Sequence, residues 1–509
     1  MAPVINFKRI ILTGLCVYIL LTVYFLLSII PMHQNEETGQ SWHHRGNEMN
    51  FVQQPVDVVV IEDNDVNSKL QRSQLPVKTT QTVKTKIPGT PKPTRLRTVK
   101  RRTRDMFQEF LKPSKVHLNF TEIAPKIFAF SAFLDDRYDT SYVRVVVIAP
   151  SGRKKRMTGF YCVFNNNDMI EMVYYETCEN HLQVNAYYML SCAVPESIAR
   201  KFHDINILTI SPSKTASPGR YKIINVVNNR GRFESDRRRQ MGRFAVCIPP
   251  LFGSVNPLRL VEFIELSRLL GSNHFTFYTH FVSEDVMQVL KHYERQGVVT
   301  VMPWYLPVKN IWYKGQSAAV GDCLLRNMHI NHLVAFNDID EYIMPHYNNS
   351  WSSFLEYVHH QQSSKGVKTG NIAVYRFKSA FFEVPTYANA RNLSKEQQGF
   401  QLTMDKFVSL RQTKRTTKLS KIRTKMMAYP TRVFELGIHH LSKQIREEYF
   451  CLDVEPEVAF LHHYRNCDRM WDMSCDEYVQ DKTALRFKYS LVNNTISALK
   501  LLKHTLASI

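Results

Sequence analysis

Charge is missing where its absence is most informative. Ile10 to Ile30 (IILTGLCVYILLTVYFLLSII) runs for twenty-one residues without a charged side chain, and Lys8 and Arg9 stand just before it. At about 1.5 Å per residue the run spans roughly 30 Å, the thickness of a bilayer's hydrocarbon core. It is longer than the apolar core of a signal peptide, and no small-x-small cleavage site follows it, which argues against a cleaved leader. The positive-inside rule keeps Lys8 and Arg9 in the cytosol. The expectation is a type II membrane protein: a cytosolic tail at 1–9, a transmembrane signal-anchor at 10–30, and a luminal remainder.

Acidic and aromatic residues are absent from residues 77–104 (VKTTQTVKTKIPGTPKPTRLRTVKRRTR). Such a segment cannot bury enough apolar surface to offset its ordering entropy, so residues 31–114 are expected to form a disordered stem. Acids are absent again from Arg411 to Lys425, a run carrying Arg411, Lys414, Arg415, Lys418, Lys421, Arg423 and Lys425. Much of the formal net charge of +21 lies in the stem. A luminal chain excludes nucleic acid as a partner. The second basic run reads either as a solvated loop or as attraction to anionic membrane, sialylated glycans or a nucleotide diphosphate.

Helical periodicity is absent between about residues 115 and 230. Short β-type runs recur instead: Ile127–Phe133, Tyr142–Ile148, Gly159–Phe164, Met169–Tyr175, Tyr187–Cys192 and Ile205–Ile210. Turn signals such as Pro150-Ser151-Gly152 divide them, which suggests a small antiparallel sandwich. Nothing in it forms a catalytic constellation, and Phe128, Phe130, Phe133, Tyr161 and Phe164 read as core. Of nine cysteines, Cys16 lies in the apolar span; the other eight permit full pairing in an oxidising lumen. Cys247, in an expected core strand, could instead be a free buried thiol. Asn119, Asn348, Asn392 and Asn493 head Asn-x-Ser/Thr sequons, candidate glycan sites.

What is present begins at Phe244. Strand and helix alternate: strand Phe244–Ile248, helix from Asn256-Pro257 to Leu270 closed by Gly271, strand Phe275–Tyr278, helix capped by Ser283 and ended by Gly297, strand Val298–Met302, helix Gly315–His329. This repetition implies a mostly parallel, doubly wound α/β sheet over residues 240–500. The fourth strand, Leu333 to Phe336, breaks into Asn337-Asp338-Ile339-Asp340-Glu341. Ligands bind at the carboxyl ends of strands in such sheets. Two carboxylates one residue apart can share a hard divalent cation and, through it, a diphosphate. Asp340 is the preferred direct ligand, with Asp338 on the metal or a ribose. A further ligand is sought in the pairs His439-His440 and His462-His463.

The ordered blocks Cys247-Ile248-Pro249-Pro250, Gly315-Gln316, Asp322-Cys323-Leu324-Leu325-Arg326, Phe336 to Tyr342, Lys425 with Pro430, Gly437-Ile438-His439-His440 and His463-Tyr464-Arg465 cover about half the chain. Together they resemble glycosyltransferase family 92. Ala129 to Phe133 with Asp135-Asp136-Arg137 resembles the region preceding that family's catalytic domain. The resemblance implies a GT-A-like nucleotide-sugar fold and an inverting, Mn²⁺-dependent Golgi β1,4-galactosyltransferase using UDP-galactose. Asp338, Asp340 and His463 match the metal positions, with His462 a close rival to His463. Lys425 matches a position suited to the diphosphate, and Gln316, Asp322 and Arg326 match positions suited to the nucleotide, although Arg326 could equally be a structural salt-bridge partner. Glu383 is the preferred general base, with Asp405 as the other acid of the acceptor region. The implied partners are a glycoprotein glycan acceptor, terminal β-galactose on N-glycans ahead of core fucose, and the Golgi membrane; a homodimer is left open. The alternative from another class is a catalytically silent luminal glycan-binding protein.

Overall fold

The computed structural model describes residues 119–152, 157–164, 168–199, 205, 207–229, 242–384, 404–469 and 472–506. The expected tail, membrane span and stem, the sequon Asn392 and the side chain of Asp405 lie outside these residues. Among the described residues no helix is long and apolar enough to cross a membrane. All the described residues belong to one compact unit of the chain.

The first layer is a nine-stranded, mainly antiparallel sheet. Its long strands are β1 (Ile127–Asp135), β2 (Tyr142–Pro150) and β3 (Asn185–Ala193). β2 and β3 pair antiparallel along their full length, from Tyr142↔Ala193 to Pro150↔Asn185. These strands read as nearly unbroken apolar runs because both faces are covered. One face, with Ala132, Val143, Val145, Val147 and Leu190, shares a core with Leu208, Ile210 and Val226 of the same sheet. The Cys162–Cys192 disulfide crosses that core. The opposite face turns Phe130, Phe133, Val146, Ile148, Tyr187 and Met189 onto the second layer.

The second layer follows the expected alternation at first. In order come β4 (Phe244–Leu251), α1 (Pro257–Leu270), β5 (Ser272–Thr279), α2 (Glu284–Arg295), β6 (Val299–Pro303), α3 (Gln316–Arg326) and β7 (Leu333–Phe336). The Asn256 side chain caps α1 by accepting from the backbone N–H groups of Leu258 and Arg259, and Gly271, at φ 119°, ends it in the left-handed region. Then follow β8 (Glu341–Pro345), a helix at Trp351–Ser364, β9 (Ile372–Phe381), β10 (Ser420–Ala428) and β11 (Ala459–His463).

The resulting sheet has the order β6-β5-β4-β7-β10-β9-β11-β8. Strands β6, β5, β4 and β7 are parallel, as α-helical crossovers require. Beyond β7 the sheet is mixed: β7–β10, β10–β9 and β11–β8 are antiparallel, and β9–β11 is parallel. No run of helical crossovers dictates strand direction there. The acid-free run Arg411–Lys425 is not a solvated loop, because Lys414–Thr416 and β10 are strands of it. Arg415 is bound to Asp481 at 2.9 Å.

Cys247 is not a free thiol: it pairs with Cys323, tying β4 to α3. Cys467 pairs with Cys475, while Cys178 and Cys451 are unpaired, so the eight cysteines beyond the apolar span do not all pair.

The two layers share polar anchors as well as a core. Asp135 is fully buried and bonded to both Arg137 and Arg144. Arg137 Nη1 also donates to the carbonyls of Pro430 (2.7 Å) and Val433 (2.6 Å), in the chain just past β10. Asp136 meets His329 Nε2 at 2.6 Å. The Asp135-Asp136-Arg137 motif is thus an interlayer clasp.

Candidate active site

All four residues of β7 are buried, and the chain leaves the sheet at Asn337, whose N–H donates to the Cys247 carbonyl at 3.2 Å. Asp338 to Asp340 form the turn, closed by the Glu341 N–H donating to the Asp338 carbonyl at 3.1 Å. Glu341 then opens β8, which pairs antiparallel with β11 so that Glu341 stands opposite His463. β10 brings Lys425 to the same edge, one residue past the Phe336↔Met426 pair. Three segments far apart in sequence therefore converge at one strand end.

Glu341 lies at the centre. Its Oε2 accepts from the Asp338 N–H at 2.8 Å and lies 3.1 Å from Lys425 Nζ, and its Oε1 is 3.5 Å from His463 Nδ1. Lys425 Nζ also donates to Asp338 Oδ2 at 2.9 Å. His463 Nε2 is 3.6 Å from Asp340 Oδ2. Burial acts to raise the Asp340 carboxyl, but His463, Arg259 and Arg465 outweigh it and hold it at about 2. Burial, reinforced by Asp338 and Asp340, raises Glu341 against the pull of Lys425 and His463. Burial would discharge Lys425, yet Asp338 and Glu341 raise it and keep it an ammonium.

Asp340 and His463 offer a hard oxygen and an imidazole nitrogen side by side, a donor pair that suits Mn²⁺. Among the described residues no three His, Cys, Asp or Glu side chains form a ready metal cage. Asp338 is engaged by Lys425 and stands apart from the Asp340–His463 pair in this respect. A cation here would be held by those two side chains.

Strand alternation separates the histidine pair. His462 is fully buried on the other face of β11, stacked on Phe382 and Phe460 at 4.6 and 5.0 Å, and burial pushes it down to about 3 despite the raising effect of Asp481. Of the other pair, His439 Nδ1 lies 2.7 Å from the Thr424 carbonyl, and burial together with Lys425 lowers it to about 4. His440 lies beside Cys178 and Glu179 of the first layer.

Asp322 and Arg326 are used inside the fold. Asp322 is fully buried; its carboxylate accepts from Ser131, Tyr278 and both Arg326 nitrogens (Nε 2.8 Å, Nη2 3.0 Å). Both oxygens of Asp322 are thus engaged within the fold, and the pairing gives Arg326 a structural salt bridge. Gln316, buried, opens α3 beneath Gly315. Glu383 is exposed just past β9, whose Phe381 registers with His463. The Phe382 N–H donates to the His463 carbonyl at 2.8 Å, the Val384 N–H to Asn466 Oδ1 at 2.9 Å, and the Tyr478 hydroxyl to Glu383 Oε1.

The sequence reading missed Glu341 as a functional residue, although it sits in the same acidic cluster, and missed Arg259, which donates to the Tyr464 carbonyl at 3.4 Å. It also missed the aromatics beyond the parallel strands: Phe252, Phe281 (73% exposed), Tyr305 (50%) and Tyr313 (56%).

The family model for glycosyltransferase family 92 matches residues 242–497. The chain is 28% identical over 375 residues to the beta-1,4-galactosyltransferase galt-1 of Caenorhabditis elegans, covering 71% of this chain and 80% of that protein. It is 24% identical over 235 residues to the glycosyltransferase family 92 protein F13G3.3 of the same nematode, covering 44% of this chain and 42% of that one. Among solved structures, residues 1–349 of TarS from S. aureus align at 11% identity and a TM-score of 0.23 over 44% of this chain and 60% of that one, too distant to carry an argument. Because the family match takes in half the chain and every strand that meets at the acidic turn, the protein belongs to glycosyltransferase family 92.

Proposed function

We propose that this glycosyltransferase is an inverting, metal-dependent enzyme that moves galactose from UDP-galactose in β1,4 linkage to terminal β-galactose of a glycoprotein N-glycan. It works as a type II Golgi membrane protein with a luminal catalytic layer. The observation that carries the reading is the approach of Asp340 and His463 beside the Lys425–Asp338 pair at the carboxyl end of β7. The name of the galt-1 relative supports the donor and the linkage. Three disulfides and the uncharged stretch at 10–30 support the compartment.

Asp340 and His463 would hold Mn²⁺, and the chemistry it supplies when bound is charge neutralisation on the diphosphate leaving group. Lys425, kept charged by Asp338 and Glu341, gives that diphosphate a fixed positive neighbour. The aromatics beyond β4, β5 and β6 give the nucleoside base a stacking surface on one side of the turn. Glu383 lies on the other side, beyond β9. There it takes the proton of the acceptor hydroxyl as that oxygen bonds to the anomeric carbon, while the bond from the carbon to the diphosphate breaks and UDP departs. Tyr478 steadies Glu383 through Oε1 and leaves Oε2 for the hydroxyl.

A panel of UDP-galactose, UDP-glucose and UDP-N-acetylgalactosamine against β-galactose-terminated and core-fucosylated glycans tests this, with product linkage determined. A β1,4-linked galactose on the β-galactose-terminated glycan is the expected product. Absence of transfer from every UDP-sugar with Mn²⁺ would leave a glycan-binding protein on an enzyme's fold.

A further inference from the structure

We infer that Glu341 is a positioning residue for the metal ligand His463, an inference that rests on reading Asp340 and His463 as the metal-facing pair. A neutral imidazole carries one N–H, and which nitrogen bears it decides which nitrogen can bind a cation. The two ring nitrogens of His463 face different carboxylates. Nδ1 is buried without a hydrogen-bond partner, and its near neighbour is Glu341 Oε1 at 3.5 Å, while Nε2 faces Asp340 Oδ2 at 3.6 Å. A proton on Nδ1 meets the buried Glu341 carboxylate attractively and leaves the Nε2 lone pair on the Asp340 side. The opposite tautomer sets a lone pair against Glu341 in a site with little water to screen it. Glu341 thus selects the tautomer in which His463 can bind a metal together with Asp340.

Glu341 is built for that task. The residue is 2% exposed, and β8–β11 pairing fixes it directly opposite His463. Its other oxygen is held by the Asp338 N–H and by Lys425. The carboxylate therefore cannot swing away from the ring without losing two charge-assisted contacts. A carboxylate behind a metal-binding histidine changes metal affinity by about 10–100-fold when removed.

The test measures Mn²⁺ binding to the full-length protein in detergent with UDP present, by the electron paramagnetic resonance signal of free Mn²⁺. Glu341→Gln is expected to raise the Mn²⁺ Kd about 10–100-fold. His463→Ala is expected to raise it at least as far, and the double variant to bind no more weakly than His463→Ala alone, because one interaction has been removed twice. A Kd within threefold of wild type for Glu341→Gln, or losses that multiply in the double variant, overturns the inference. Should Glu341→Gln not fold, Glu341→Asp withdraws the carboxylate by one methylene and is expected to raise the Kd at least threefold; an unchanged Kd overturns the inference equally. A wild-type protein that binds no Mn²⁺ with UDP defeats the underlying metal-site reading itself, which separates the two failures.

Discussion

His462 and His463 are adjacent in sequence but stand in different surroundings, because β11 turns successive side chains to opposite faces. On the proposed reading His463→Ala is expected to cut Mn²⁺-dependent transfer at least ~100-fold, and to lower the melting temperature as well, because the ring is buried and stacked on Phe381 at 5.0 Å. His462→Ala empties a site packed between Phe382 and Phe460 and is expected to cost about 2–4 kcal/mol of stability by thermal unfolding. The residues alone nominate both histidines, and only the resemblance put His463 ahead of His462; which of them faces the acidic turn is decided by the strand opposite. Asp322 and Arg326 make a related point: their spacing on a helix is visible in the sequence, but the Ser131 and Tyr278 that bond to Asp322 are not. Asp135 shows how such a buried charge responds to pH. Burial alone would raise its carboxyl, but Arg137 and Arg144 hold it at about 2. Against ~3.9 in an unfolded chain this contributes about 2–3 kcal/mol, present above pH ~4 and lost as pH falls through 2. Asp135→Asn should therefore be less stable than wild type at pH 7, with the gap narrowing toward pH 2 in pH-dependent unfolding.

At the scale of the element, the β4-to-β7 half was the most legible part. Its helices carry their own stop and start signals, and Asn256, Gly271 and Ser283 act where those signals predict. The other half was poorly legible: its strands follow no crossover rule, and the basic run hid β10, whose first half carries exposed Lys421 and half-buried Arg423 while Lys425 is buried among Thr424 and the methionines. Helix α3 is the element that joins the layers. A Cβ on Gly321 would overlap the Tyr187 ring of β3. Gly321→Val is expected to cost about 1–3 kcal/mol and to lower the melting temperature, with the penalty eased by Tyr187→Ala in the same chain.

For the molecule as a whole, the sequence suggested a β-rich domain set in front of a catalytic one. In the structure Phe130, Phe133, Val146 and Tyr187 share a core with Trp304, Ala318, Leu324 and Met426. A fragment restricted to residues 242–506 would expose that face, so it is expected to be insoluble or to exchange its α3 amides rapidly, whereas a fragment from residue 119 should fold. The central claim is that the acidic turn after β7 and the histidine opposite it form one metal-dependent donor site. The most direct test is the initial rate of galactose transfer from UDP-galactose by wild type and by Asp340→Ala, each with Mn²⁺ and with excess chelator. The account predicts that chelator abolishes wild-type transfer, that Mn²⁺ restores it, and that Asp340→Ala is at least ~100-fold slower even with Mn²⁺. Transfer that continues unchanged in chelator, or an Asp340→Ala rate equal to wild type, would contradict it.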